Sequence, residues 1–145
     1  MTVRHPRRVD LIVLAGFMKK LPDGLIAKFS DRIINIHPAL LPSFGGHGFY
    51  GSRVHEAAFS TGVRISGMTI HFVNEVYDSG AIIFQDSTLL THLDSPEDIG
   101  SKVLKLEHHH YWQVVKGFSE GKVSRDSSGR VVYENSHQPL NSIQA

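Results

Sequence analysis

Arg32-Ile-Ile-Asn-Ile-His37-Pro38 is the stretch that decides the fold. Its apolar run is short and continuous, and it stops at a proline, which cannot donate to a ladder. A run of this kind reads as a strand buried on both faces of a parallel sheet. Asp10-Leu-Ile-Val-Leu-Ala-Gly16 has the same form and the same expected burial. Between the two lies Pro22 to Phe29, short and compatible with a helix. Strand, helix, strand predicts an α/β domain.

Working outward, 38–51 is a loop rich in proline and glycine, and Ser52 to Ser60 reads as a helix with Val54, Ala57 and Ala58 inward. Arg64 to Val73 alternates, with Ile65, Gly67, Thr69, His71 and Val73 on one face. Ser66, Met68, Ile70 and Phe72 take the other. Asp78-Ser-Gly80 is a turn, and Ala81 to Gln85 a further apolar strand. The clearest helix begins at Ser95, an N-cap followed by a proline at the first helical position and then Glu97 and Asp98. Ile99, Val103, Leu106, Val114 and Phe118 recur near its period, and Gly121 can cap the far end. Ser127-Ser-Gly-Arg130 between Val123 and Val131 predicts a terminal hairpin.

The 145 residues suit one domain spanning 1–145, with 1–8 and 135–145 expected to be poorly ordered. Hydrophobic residues at 41% and charged residues at 20% exclude wholesale disorder. A net charge of +1 gives no support for a nucleic-acid or membrane-surface role. The charge is uneven, because 1–32 carries seven basic against three acidic residues, for +4. That end suits an anionic ligand or simply a solvated face. With no cysteine, disulfides, thiolate zinc sites and a cysteine nucleophile are excluded, and the cytoplasm is the expected compartment. The longest apolar run, Leu11 to Met18, is far short of the ~20 residues of a membrane helix.

Asn35 and His37 sit two apart at the end of a buried strand, so they share a face. Ligands bind at such carboxyl ends in open α/β sheets. An amide donor beside an imidazole suits stabilisation of an oxyanion, although the pair taken alone reads first as a satisfied polar pair capping the strand. Asp78 lies in a turn, where it is either a turn former or a carboxylate folded back beside that pair. Gly46-His47-Gly48-Phe49-Tyr50-Gly51 has the spacing of a dinucleotide loop but follows no strand directly, and it reads as a loop near the site. His55-Glu56 lacks a second histidine four residues on, and His108, His109 and His110 point in different directions from one helix. No metal is expected. Glu107 falls one step off the apolar stripe, facing solvent or, as the minority reading, a ligand.

Several segments together resemble the folate-dependent formyltransferases. They are Asp10 to Met18, Asn35-Ile-His37-Pro38-Ala-Leu-Leu-Pro42, Ile70 to Gly80 and Leu106-Glu107-His108, in that order along roughly residues 9–122. The nearest likeness is to the branch that formylates glycinamide ribonucleotide in purine biosynthesis. The resemblance implies a Rossmann-like fold with a mostly parallel central sheet, and 10-formyltetrahydrofolate as co-substrate. It implies that Asn35 and His37 stabilise the tetrahedral oxyanion, with His37 as proton donor, and that Asp78 manages protons through a water. Met18, Lys19, Lys20 and Leu21, with Asn74, Glu75, Val76 and Tyr77, match the folate-pocket loops, and Pro38 and Glu107 the ribonucleotide side. Formyltetrahydrofolate hydrolysis is the closer rival, and an inactive binding or dimerising module is a third reading. The family's opening strand, glycine-rich turn and helix have no counterpart in 1–8, so the chain is expected to correspond to the later portion of the fold. Homodimerisation or self-association, and no formyl transfer by the chain alone, are the matching expectations.

Overall fold

A computed structural model describes residues 8–16 and 19–134. The expected poor order at the two ends falls on 1–7 and 135–145, outside the described residues apart from Arg8. Nine elements follow in chain order: β1 (Ile12–Leu14), α1 (Asp23–Lys28), β2 (Ile33–His37), α2 (Ser52–Thr61), β3 (Ile65–Phe72), β4 (Ile82–Leu89), α3 (Pro96–Ser119), β5 (Val123–Arg125) and β6 (Val131–Tyr133). The first four strands form one sheet in the order β1-β2-β3-β4, and the last two form a separate hairpin.

The mostly parallel sheet expected from the sequence is corrected to a mixed one. β1 and β2 run parallel, but β2 with β3 and β3 with β4 are antiparallel. The segment between β3 and β4 is too short for the crossover that parallel strands need, so the chain folds straight back. The register slips between Ile70 and His71, a bulge-type irregularity that falls beside the site described below.

Burial departs from the sequence reading at two strands. β1 is not buried on both faces, and Val13 is 41% exposed, because among the described residues β1 is an edge with a neighbour on one side. β3 shows no alternation, being buried from Ser66 through Phe72. It lies centrally, with α3 on one face and the segment after β2 on the other. That segment is stitched to β3 through Thr69, whose hydroxyl donates to Ala39 O at 2.7 Å and accepts from Leu41 N at 3.1 Å. Gln85 on β4 donates to Leu41 O at 3.1 Å and to the same hydroxyl at 2.9 Å.

α3 starts where the sequence puts it. Ser95 Oγ accepts from Asp98 N at 3.1 Å while Asp98 Oδ2 accepts from Ser95 N at 2.9 Å, a reciprocal cap. Ile99, Val103, Leu106 and Val114 enter the core with Met68, Ile70 and Phe72 of β3. His110 joins them, fully buried, with its Nε2 2.8 Å from Asp86 Oδ2 on β4. α2 packs beside α3 at Gly100, where a Cβ would stand 3.1 Å from the His55 ring. The terminal hairpin is held by Arg125, which donates to both carboxylate oxygens of Asp31 at 2.9 and 2.8 Å.

Candidate active site

The carboxyl end of β2 opens into a cleft of about 340 Å³. Its walls come from the turn after β1, the end of β2, the 46–51 loop, the 73–78 loop and Glu107 of α3. Asn35 and His37 point to the same side of β2, as their spacing requires. β3 is antiparallel to β2 with His71 as the cross-strand partner of Asn35. The loop after β3 then returns Asp78 to the end of β2. Asp78 has a φ of 54°, in the left-handed region that aspartate tolerates better than most residues.

Four polar side chains meet there. Asp78 Oδ1 lies 3.6 Å from His37 Nδ1 and 3.7 Å from His71 Nε2. His71 Nδ1 is 2.9 Å from Phe72 O, and a carbonyl only accepts, so Nδ1 carries the proton. Its Nε2 is then left to accept from the Asn35 amide nitrogen, 3.5 Å away. Burial, outweighing the Phe72 hydrogen bond and the Asp78 charge, drives the His71 pKa below its ordinary value and so favours the neutral ring. The Asn35 Oδ1 atom is buried with no hydrogen-bond partner.

The opposite wall carries an acid of a different kind. Glu107 is half-buried, and desolvation pushes its pKa up to about 7. One helical turn on, Tyr111 donates its hydroxyl to Leu14 O at the end of β1 and lies 3.4 Å from Ile34 O on β2. Burial, with the nearby Glu107 charge second, raises the Tyr111 pKa. His55 also lines the cleft, and its pKa falls through burial first and the charge of His37 second.

The cleft brings together Asn35, His37, Asp78, Pro38 and Glu107 with Lys19, Lys20, Leu21, Asn74, Val76 and Tyr77. Glu75 is exposed and does not line it, and Met18 lies outside the described residues. His71 was missed by sequence reasoning, which placed it on a strand face without a role. The signal lay in its two-residue spacing from Thr69 on the same face, which only the pairing with β2 turns into a site. Among the described residues no group of three or more histidines and carboxylates could hold a metal. No described helix is long and apolar enough to cross a membrane.

The sequence matches the family described as Formyl transferase over residues 3–115. It is 44% identical over 131 residues to a phosphoribosylglycinamide formyltransferase of Arabidopsis thaliana, described as chloroplastic, covering 90% of this chain and 45% of that protein. The fold is similar to the crystal structure of phosphoribosylglycinamide formyltransferase from Anaplasma phagocytophilum. The TM-score is 0.80 at 37% identity, covering 90% of this chain and 61% of that one. It is also similar to a formyltetrahydrofolate deformylase from Pseudomonas syringae, with a TM-score of 0.76 at 31% identity, covering 87% and 40%. The chain therefore spans less than half the length of the Arabidopsis relative.

Proposed function

The chain belongs to the formyl transferase family, and on that footing we propose that its site passes a formyl group from 10-formyltetrahydrofolate to the amine of glycinamide ribonucleotide. The observation that carries the reading is the meeting of Asn35, His37 and Asp78 at the carboxyl end of β2. An amide, an imidazole and a carboxylate around one point suit acyl-type transfer.

The amine attacks the formyl carbon, forming a C–N bond as the carbonyl π bond opens. Asn35 donates an amide N–H to the developing oxyanion, and His37 gives it a proton. Asp78, through a water, takes a proton from the attacking amine and returns it to the folate nitrogen as that C–N bond breaks. The carbonyl then re-forms and the proton goes back to His37. The folate ring system lies between the 19–21 and 74–77 segments, and the ribose hydroxyls of the acceptor donate to Glu107. The cytoplasm, suggested by the absence of cysteine, belongs to the same proposal.

Likeness to the Pseudomonas deformylase favours hydrolysis as the second reading, in which water replaces the amine. One experiment separates these and the inactive-module reading, and also decides the expectation that the chain alone transfers no formyl group: formyl transfer at high acceptor concentration, with formate release followed in the same samples of the purified chain. Transfer that drops ~10²-fold in Asn35→Ala and His37→Ala supports the proposal. Formate without formylated acceptor selects the hydrolase. Neither product, with folate binding alone, overturns the proposal in favour of a binding module.

A further inference from the structure

The turn Phe44-Gly45-Gly46 hydrogen-bonds both His37 and Asp78, and both bonds are made by its backbone. His37 Nε2 lies 2.7 Å from Phe44 O. Gly46 N donates to Asp78 Oδ2 at 2.9 Å. Gly45 between them is crowded, since a Cβ would stand 2.4 Å from Leu41 Cδ2 and 3.3 Å from Asp78 Cβ, so that the Leu41 side chain or the turn must shift to admit one. Phe44 itself is held at a φ of 53°, a strained conformation for a phenylalanine, with its ring edge-on to Phe49 at 6.3 Å. Gly46 takes a φ of 95°, which a glycine adopts freely.

A neutral imidazole has one N–H and two candidate acceptors here. Phe44 O lies 2.7 Å from Nε2, within hydrogen-bond range, while Asp78 Oδ1 lies 3.6 Å from Nδ1, beyond it. We propose that this turn is a backbone clamp that fixes the His37 proton on Nε2 and aims Asp78 Oδ1 at Nδ1. Nδ1 is thereby the nitrogen that exchanges a proton with the substrate oxygen. Phe44 and Gly46 are positioning residues in this account, for they act through His37 and Asp78. The logic is that of a catalytic histidine whose second nitrogen is held by a fixed acceptor, here a main-chain carbonyl in place of a carboxylate. In the charged ring both nitrogens carry protons. Transfer of the Nδ1 proton to the oxyanion leaves the Nε2–H form that the clamp already holds, so the step needs no ring flip.

The proposal rests on the formyl-transfer reading for the identity of the oxyanion, but its first test does not. Nitrogen-15 NMR of the histidine rings at alkaline pH, with His37 assigned by loss of its signals in His37→Gln, reads the tautomer of the unaltered chain. Nε2–H is expected, and Nδ1–H, with Asp78 as the acceptor, overturns the clamp. The second test is Gly45→Ala, whose added methyl crowds Leu41 Cδ2 and Asp78 Cβ, made alone and combined with Leu41→Ile or Leu41→Val, so that displacement of the turn is read apart from movement of the leucine. The expected outcome is a mixed His37 tautomer, with kcat down ~10²-fold and KM within a few-fold. An unchanged tautomer in that variant, or a mixed one with full turnover, refutes the clamp. Neither result bears on whether the acceptor is an amine or water.

Discussion

Charging Glu107 works against the fold, and the size of that effect can be worked from its position. Its pKa is about 7 in the folded chain against an ordinary 4.5, with burial as the cause. Each pKa unit corresponds to about 1.4 kcal/mol, so the ionised form costs the folded state up to roughly 3 kcal/mol. The sign follows from proton uptake. The folded state binds the proton more tightly, so the penalty is absent below pH 4.5 and accrues as pH rises, complete above about 7. Glu107→Gln removes the titration while keeping the shape. Urea unfolding of both proteins at about pH 4.5 and about pH 8.5 makes the comparison. The variant should gain on the wild type by a few kcal/mol, at most about 3, between the two conditions. A stability difference that stays constant across that range would refute the assignment of a desolvated carboxyl. In the proposed reaction the same group accepts from ribose hydroxyls, which favours its ionised form. Acceptor affinity should therefore weaken as pH falls below about 7, and that weakening should vanish in Glu107→Gln.

Asp78→Asn keeps size and removes the carboxylate, so turnover should fall ~10²- to 10⁴-fold with a changed pH–rate profile; an unchanged profile makes Asp78 a turn former only. Gly80→Ala would place a Cβ 1.7 Å from Phe72 O, a backbone clash, and should lower the melting temperature by many degrees, whereas Gly24→Ala, with open space around it, should not. Sedimentation should show self-association, since among the described residues β1 is an edge strand and Val9 and Val13 are 49% and 41% exposed; a clean monomer refutes this.

Local rules made much of the molecule readable in advance. The cap of α3, the stop of β2 at Pro38 and the terminal hairpin each depend on residues within a few positions of one another. The direction of β3 does not. An apolar run looks the same whichever way it runs, so the mixed sheet was not legible. The exposure of Val13 depends on what lies beside β1, which its own residues do not encode. In the site, Asn35 and His37 were readable because two residues on one strand settle their common face. His71 needed the β2–β3 register, and the backbone contacts of Phe44 and Gly46 needed the loop's path. Glu107 was one step off the apolar stripe by pattern, yet it is half-buried, because the cleft wall reaches round α3 beyond the core face.

The hydroxyl of Tyr111 ties α3 to the Leu14 carbonyl at the end of β1 and to the Ile34 carbonyl near the start of β2, and Glu107 faces the cleft one turn before it. The reciprocal cap at Ser95 sets the angular origin of that helix. Each residue of an α-helix turns the next by about 100°. One residue inserted between Ser95 and Glu107 would swing both side chains away together, uncoupling α3 from β1 and β2 and removing the acid from the cleft wall. This stretch of α3 is thus far more sensitive to a change of length than to a change of side chain on its exposed face.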